Sequence, residues 1–220
     1  MSVCKFHLEG EELILLPQRA IYFSNLKVLL ISDLHLGKIN HFRKAGIPVP
    51  VAANKANTET LIKLMMDQKP DRVIFIGDLF HSHYNEEWEV LGQVTRNFSS
   101  CSFELVPGNH DIMSAHQYQK NNITLHEINY SLTTQITLVH EPVSTYEDSE
   151  YYISGHLHPA ITLTGKGRQA LTFPCFWFGK QQALLPAFGV FTGMKSVKPD
   201  EGDKVFAIVR DQVIEVTDKT

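Results

Sequence analysis

Short runs of β-branched and other apolar residues recur along the chain and predict buried β-strands. The predicted strands are residues 27–32 (KVLLIS), 72–77 (RVIFIG), 102–106 (SFELV), 135–139 (QITLV), 151–154 (YYIS), 204–210 (KVFAIVR) and 213–216. Two longer segments, 51–68 and 86–98, predict helices, and in the second Trp88, Leu91 and Phe98 recur at helical spacing. This alternation indicates an α/β layered fold, and no linker interrupts it, so we expect a single domain over residues 1–220.

The composition excludes several classes of protein. The 220 residues are 43% hydrophobic and 20% charged, which is ordinary globular usage and argues against a disordered chain. No apolar run approaches the ~18 residues of a membrane-spanning helix, and the N-terminus lacks the pattern of a secretory signal. Cys4, Cys101 and Cys175 lie far apart and predict reduced thiols. We therefore expect a cytoplasmic protein with no membrane partner.

The charges are unevenly distributed. The net charge is -4, from 20 basic and 24 acidic side chains, which argues against a protein that coats nucleic acid non-specifically. Residues 34–58 and 151–199 contain no carboxylate, although both stretches contain lysine and arginine. Such stretches could steer a polyanionic substrate, but buried strands and tight loops also lack carboxylates.

Polar motifs stand where five of the predicted strands end. Asp33-x-His35 follows the first strand, Gly77-Asp78 the second and Gly108-Asn109-His110-Asp111 the third, while His140 closes the fourth and Gly155-His156-x-His158 follows the fifth. In layered α/β folds, sites gather outside the carboxyl ends of strands, so these motifs are expected to converge. Residues i and i+2 of an extended segment share a face, so each D-x-H or H-x-H pair could aim two ligands into one pocket.

The pool of potential ligands is too large for one ion. It consists of Asp33, His35, Asp78, Asn109, His140, His156 and His158. Seven mixed oxygen and nitrogen ligands suit two divalent ions that share a bridging carboxylate. The mixture favours manganese, iron, zinc or nickel over calcium, which prefers oxygen ligands alone.

In this order, the five motifs resemble the signature of the calcineurin-like metallophosphoesterases, and the resemblance spans residues 33–158. It implies a four-layer α/β/β/α sandwich with a dinuclear site, manganese being the expected metal, at the carboxyl ends of the strands. It also implies that Asp33, His35, Asp78 and His158 hold the first ion and that Asp78, Asn109, His140 and His156 hold the second, with Asp78 bridging. His110 would be the catalytic histidine that is not a ligand, and Asp111 would orient its ring. His81 stands where purple acid phosphatases have a tyrosine ligand, and it is either a group supporting the site or a surface histidine.

Three further runs are similar to the ligase-associated DNA damage response endonucleases, the PdeM family. They are DLHLGKINHFRKAGIPVP (33–50), GDLFHSH (77–83) and LLPAFGVFTG (184–193). This resemblance implies a phosphodiesterase that acts on DNA in repair. It also implies an association with an ATP-dependent DNA ligase, an exonuclease-like protein and a helicase. A homo-oligomer is compatible with the sequence.

The expected mechanism is in-line attack on phosphorus by a hydroxide that bridges the two ions. His110 would protonate the leaving oxygen or stabilise charge in the transition state. Lys38 and Arg43 could hold flanking phosphates, or could be an ordinary exposed basic loop. The aromatic cluster of Phe173, Phe176, Trp177 and Phe178 is more typical of a core or interface than of base stacking.

Two other functions compete with a DNA diesterase. A phosphomonoesterase or small-nucleotide phosphohydrolase would use the same metal motifs, because the loops that recognise the substrate differ. A non-catalytic interaction protein with a metal pocket is disfavoured, because every expected ligand and the catalytic histidine are present.

Overall fold

The first of two β-sheets contains the strands that lead into the first three motifs. We analysed a computed structural model that describes residues 2–38, 52–80, 86–147, 149–165, 167, 169–190 and 192–216. In sheet order, the strands are β1 (Cys4–Leu8), β2 (Glu11–Leu16), β3 (Ala20–Phe23), β4 (Val28–Ser32), β5 (Arg72–Ile76), β6 (Ser102–Val106) and β7 (Ile123–Leu125). Strands β1 to β4 pair antiparallel, and β4 to β7 pair parallel.

The second sheet contains the strands that lead into the other two motifs. Its strands are β8 (Asn129–Ser131), β9 (Ile136–Val139), β10 (Tyr151–Ser154), β11 (Pro159–Thr164), β12 (Ala170–Phe178), β13 (Gln182–Leu184), β14 (Lys195–Ser196), β15 (Lys204–Val209) and β16 (Gln212–Glu215). The order is β14-β11-β12-β13-β10-β9-β8, with β15 paired to β12 and β16 to β15. The central strands β9, β10 and β13 run parallel.

Three helices of the described part of the chain lie against the first sheet. They are α1 (Ala52–Gln68), α2 (Glu86–Asn97) and α3 (Ala115–Lys120). Leu61 of α1, Trp88 of α2 and Tyr118 of α3 belong to one buried cluster with residues of β4 to β6. None of these helices, within the described ranges, meets the length and apolarity that a membrane span requires.

The space between the two sheets is the second core. Ile74 and Ile76 of β5 pack there with Ile153 of β10 and Phe176 of β12. A third, smaller cluster lies on the other side of the second sheet and includes Cys175 and Val205. The fold is thus a mixed α/β structure with two stacked sheets, as the sequence predicts.

The aromatic cluster of β12 belongs to the interior. Phe176 and Phe178 are buried between the sheets, while Phe173 and Trp177 pack, partly buried, against the third cluster. The Trp177 indole donates a hydrogen bond to Asp203 Oδ2 at 2.9 Å. The core interpretation is therefore confirmed for Phe176 and Phe178, which are not accessible to a base.

A charged network joins the two sheets away from the predicted metal site. Glu104 of β6 accepts hydrogen bonds from Arg72 Nε (2.7 Å) and Nη2 (2.6 Å) and from Ser102 Oγ (2.8 Å), and His126 Nε2 lies 2.7 Å away. Arg72 also donates to the hydroxyl of Tyr130, in β8 of the second sheet. Burial raises the pKa of Glu104, but the hydrogen bonds outweigh burial and lower the pKa to about 2.

Glu104→Gln is expected to lower the free energy of unfolding at pH 7 by about 1–3 kcal/mol, because it leaves the Arg72 guanidinium without a charged acceptor. A carboxylate with a lowered pKa stabilises the fold above its ordinary pKa and loses this contribution as the pH falls. The difference between variant and native protein should therefore shrink from pH 4.5 towards pH 2. Denaturant titrations of both proteins across this pH range measure the difference in the free energy of unfolding.

Glu215→Gln is the matched control, because Glu215 forms an exposed ion pair with Lys204. Such pairs contribute about 0–1 kcal/mol. A Glu104→Gln effect as small as the control, or one that grows in acid, would contradict a stabilising role for the network.

Candidate metal centre

The five polar motifs meet at one end of the molecule, where strands of both sheets finish. Asp33 follows β4 directly, Asp78 lies two residues after β5, and Asn109 lies three residues after β6. His140 follows β9 directly, and His156 lies two residues after β10. The convergence expected from the strand ends is thus present, with each sheet supplying part of the site.

Two clusters of metal-binding side chains form there. Asp33, His35 and His158 form one cluster, and Asp78, His140 and His156 form the other. Within each cluster, the potential ligand atoms lie within 4.8 Å of one another. Asn109 adjoins the second cluster, since its Oδ1 lies 3.1 Å from His140 Nε2.

Asp78 lies between the two clusters. Its Oδ2 is 3.6 Å from His35 Nε2 in the first cluster, and its Oδ1 is 3.4 Å from His140 Nε2 in the second. Each carboxylate oxygen thus faces a histidine of a different cluster. This arrangement is the one a bridging carboxylate requires.

The donor atoms fit divalent transition-metal ions. Ligand atoms that share one ion at about 2.1 Å lie roughly 3.0–3.4 Å apart, depending on the coordination geometry. His158 Nε2 lies 3.3 Å from Asp33 Oδ1, and His156 Nδ1 lies 3.1 Å from His140 Nε2. His158 Nε2 is also buried without a hydrogen-bond partner among the described residues, which is costly unless an ion takes its lone pair.

Backbone hydrogen bonds position several of these ligands. His158 Nδ1 lies 3.0 Å from the Gly193 carbonyl oxygen, and as a donor it leaves Nε2 as the free lone pair. The His156 amide donates to Asp33 Oδ2 at 3.0 Å, and the His110 amide donates to Asp78 Oδ1 at 3.0 Å. The loops therefore bind one another through the carboxylates themselves.

Five of the seven potential ligands lie in left-handed backbone and not in the extended backbone expected from the spacing of the D-x-H and H-x-H pairs. Asp33, His35, Asp78, His156 and His158 all have φ between 47° and 63°, in the left-handed region. This conformation costs about 1–3 kcal/mol for a residue other than glycine, and such residues concentrate at functional sites. His158 lies in the first cluster and His156 in the second, and the two clusters are adjacent parts of the same site.

Two glycines allow the loops to approach closely. Gly77 has φ +60°, and a Cβ there would overlap the ring of His140. A Cβ at Gly155 would overlap Asp33 Oδ2. Larger side chains at these positions would push apart the strand ends that carry the two clusters.

His110 lies beside the first cluster. Its ring centroid is 5.7 Å from that of His35, and the residue is half-buried. Both carboxylate oxygens of Asp111 accept backbone hydrogen bonds, from Gly108 at 2.8 Å and Phe80 at 3.2 Å. Burial raises the pKa of Asp111 to about 7, with the Asp78 charge adding to this and the backbone donors opposing it. These contacts show Asp111 joining the loops after β5 and β6, and its effect on the His110 ring stays a prediction.

Lys38 is the predicted phosphate-binding residue that the structure describes. Its amide donates to the His35 carbonyl at 3.2 Å, one turn after that ligand, and its side chain is half-buried. Burial lowers the pKa of Lys38, while the charges of Asp78 and Asp33 act in the opposite direction, so the ammonium lies within electrostatic reach of both clusters. Arg43 and His81 lie outside the described residues.

The segment after β13 supports the first cluster, a role the sequence did not indicate. Phe188 donates to the Ser32 carbonyl at 2.9 Å and Gly189 to the Asp33 carbonyl at 3.1 Å. Arg19 Nη1 donates to the carbonyl oxygens of Ala187 and Gly189 at 3.1 and 3.4 Å. Ala187, Phe188 and Gly189 belong to the LLPAFGVFTG run. In the sequence, only the family resemblance of this run pointed to a role for these residues.

A family model described as calcineurin-like phosphoesterase matches residues 26–158, which is more than half of the chain. The chain belongs to this family and is a metal-dependent phosphoesterase, a hydrolase whose family uses a dinuclear divalent metal site.

Several solved structures resemble this one, and two of them are a nuclease and a phosphoesterase. The nuclease MPE of Pseudomonas putida is 24% identical with a TM-score of 0.80, and the match covers 97% of this chain and all of that one. Yfce, a phosphoesterase from E. coli, is 13% identical with a TM-score of 0.46 over 86% of this chain and 97% of its own. The first likeness shows a shared fold. No curated protein matches the chain.

Proposed function

We propose that this chain is a dinuclear-metal phosphodiesterase that cleaves DNA. The proposal rests on the position of Asp78, because its two carboxylate oxygens face histidines of separate metal-binding clusters. The fold shared over the full length of a nuclease supports a nucleic acid as the substrate, and the motif resemblance to the PdeM family supports DNA. The motif resemblance to the PdeM family supports a role in DNA repair alongside a ligase, an exonuclease-like protein and a helicase.

The donor set determines which ions we propose. Carboxylate, amide and imidazole ligands suit Mn²⁺, and also Fe²⁺, Zn²⁺ or Ni²⁺. When bound, two such ions would polarise the phosphate oxygens and lower the pKa of the water that attacks phosphorus.

The protein's own groups bind and protonate the substrate. His110 would donate a proton to the leaving oxygen, because its ring lies next to His35 without belonging to either cluster. Lys38 would bind a phosphate that flanks the scissile one, because its ammonium lies within electrostatic reach of Asp33 and Asp78. Substrate charge would thus be neutralised on the side of the first cluster.

Parallel assays of the Mn²⁺-loaded protein test this function. We expect cleavage of single-stranded DNA, and at least tenfold higher kcat/KM for a small chromogenic diester than for the corresponding monoester. A preference for the monoester, with no cleavage of DNA, would instead identify a phosphomonoesterase.

Lys38→Gln is expected to weaken DNA binding and to reduce the slope of log affinity against log salt by about one unit, the effect of one lost phosphate contact. Hydrolysis of the small diester should change much less, because that substrate has no flanking phosphate. Binding titrations at several salt concentrations measure the slope.

Lys27→Gln is the control, because Lys27 lies at the opposite end of β4 and pairs with Asp71 on the surface. Lys27→Gln should change neither DNA binding nor hydrolysis of the small diester. Equal losses on DNA and on the small diester in Lys38→Gln would show that Lys38 serves the metal centre and not a flanking phosphate.

A further inference from the structure

A cavity of about 340 Å³ opens beside the second metal-binding cluster. Asn109 and His140 form the wall that it shares with the metal centre, and Ile128 and Val143 line it as well. Ile128 is 69% exposed, so its side chain offers apolar surface that a group bound in the cavity would cover. The volume lies within the range of small-molecule sites, about 300–1,000 Å³.

The polar groups of the cavity are not those of a phosphate site. Asn129 and Glu141 line it, and none of its described lining residues is lysine or arginine. The Glu141 carboxylate would repel a phosphate. The apolar surface with an amide and a carboxylate at its edge suits instead an uncharged, partly apolar group that carries hydrogen-bond donors and acceptors.

We propose that this cavity holds the nucleoside next to the scissile phosphate, an inference that rests on the proposed phosphodiesterase function. A phosphate bound between the two clusters would contact His140 and Asn109 on one side, and these residues are also the cavity wall. The group esterified to that phosphate on this side enters the cavity and covers Ile128. Flanking phosphates lie on the other side, near Lys38.

The two ends of the site thus bind different parts of the substrate. Lys38 attracts the charged backbone, and the cavity around Ile128 selects for a nucleoside over a simple alkyl group. Ile128 is thus a specificity-determining residue with no part in the chemistry.

Titration calorimetry on the Mn²⁺-loaded native protein tests the assignment with thymidine 3′-monophosphate, thymidine 5′-monophosphate and methyl phosphate. At least one nucleotide should bind roughly tenfold or more tightly than methyl phosphate, because it covers apolar surface that methyl phosphate leaves in water. Ile128→Ala should reduce that preference roughly fivefold and leave the affinity for methyl phosphate unchanged.

Leu171→Ala is the matched control, because Leu171 lies in β12 and is 64% exposed, close to the value for Ile128. It should leave both affinities unchanged. Equal binding of the nucleotides and methyl phosphate would overturn the assignment, even if diesters are hydrolysed. Weaker binding of methyl phosphate by Ile128→Ala would also overturn the assignment, because it would show that Ile128 supports the metal centre. A nucleotide preference in a protein that cleaves neither DNA nor diesters would support the cavity and refute the proposed function.

Discussion

Asp78→Asn is expected to abolish phosphodiester hydrolysis and to reduce the number of metal ions bound per chain. The carboxylate that faces both clusters becomes an amide, which supplies one neutral oxygen in place of two charged ones. Stabilisation of transition-state charge by a metal ion is worth several kcal/mol, so activity should fall at least roughly 10³-fold. Steady-state kinetics together with elemental analysis of the Mn²⁺-loaded variant measure both effects.

The fold should survive this substitution. Asp78 has φ 47°, a conformation that asparagine tolerates well, and an amide oxygen can still accept the hydrogen bond from the His110 amide. Asp203→Asn is the matched control, since Asp203 is also buried and accepts hydrogen bonds from Trp177 and the Asp200 amide. The control should keep full activity and full metal content. Activity that persists in a folded Asp78→Asn protein would refute the bridging role.

His110→Ala is expected to keep both ions and the fold while losing about 10²–10⁴-fold in activity, the usual contribution of general acid–base catalysis. The loss should be larger for DNA and alkyl diesters, whose alkoxide leaving group needs a proton, than for nitrophenyl esters. Steady-state kinetics on both kinds of ester and elemental analysis of the variant separate catalysis from metal binding.

His116→Ala provides the control, because His116 is an exposed histidine on α3, a few residues along the chain. His116→Ala should keep the activity of the native protein on both kinds of ester and its full metal content. Loss of a metal ion from His110→Ala would make His110 a ligand, and an equal loss on both leaving groups would mean that it stabilises phosphoryl charge and does not act as the acid.

The strands that carry the site were predictable because they are buried on both faces. Runs such as 72–77 and 151–154 are continuously apolar, and they became β5 and β10 with bounds that differ by at most one residue. Polar residues directly after such runs had to lie at strand ends, which is why the sequence indicated all seven potential ligands.

The local geometry of the site was less accessible to sequence analysis. The left-handed backbone of Asp33 and His156 depends on contacts between loops more than 100 residues apart, such as the bond from the His156 amide to Asp33 Oδ2. The cavity beside the second cluster likewise combines Ile128, which precedes β8, with Val143, which follows β9. Such pairings are tertiary, and no local pattern of hydrophobic and polar residues encodes them. The sequence analysis also missed the antiparallel strands β1 to β3 and the strands β7, β8 and β11 to β14.

The proposed function requires that two ions share Asp78 and act together. The most direct test is a metal titration of the native protein, freed of metal and then loaded stepwise with Mn²⁺, with bound metal and diester hydrolysis measured at each step. We expect two ions to bind per chain and diester hydrolysis to appear only as the second site fills. Full activity with a single ion per chain would contradict it.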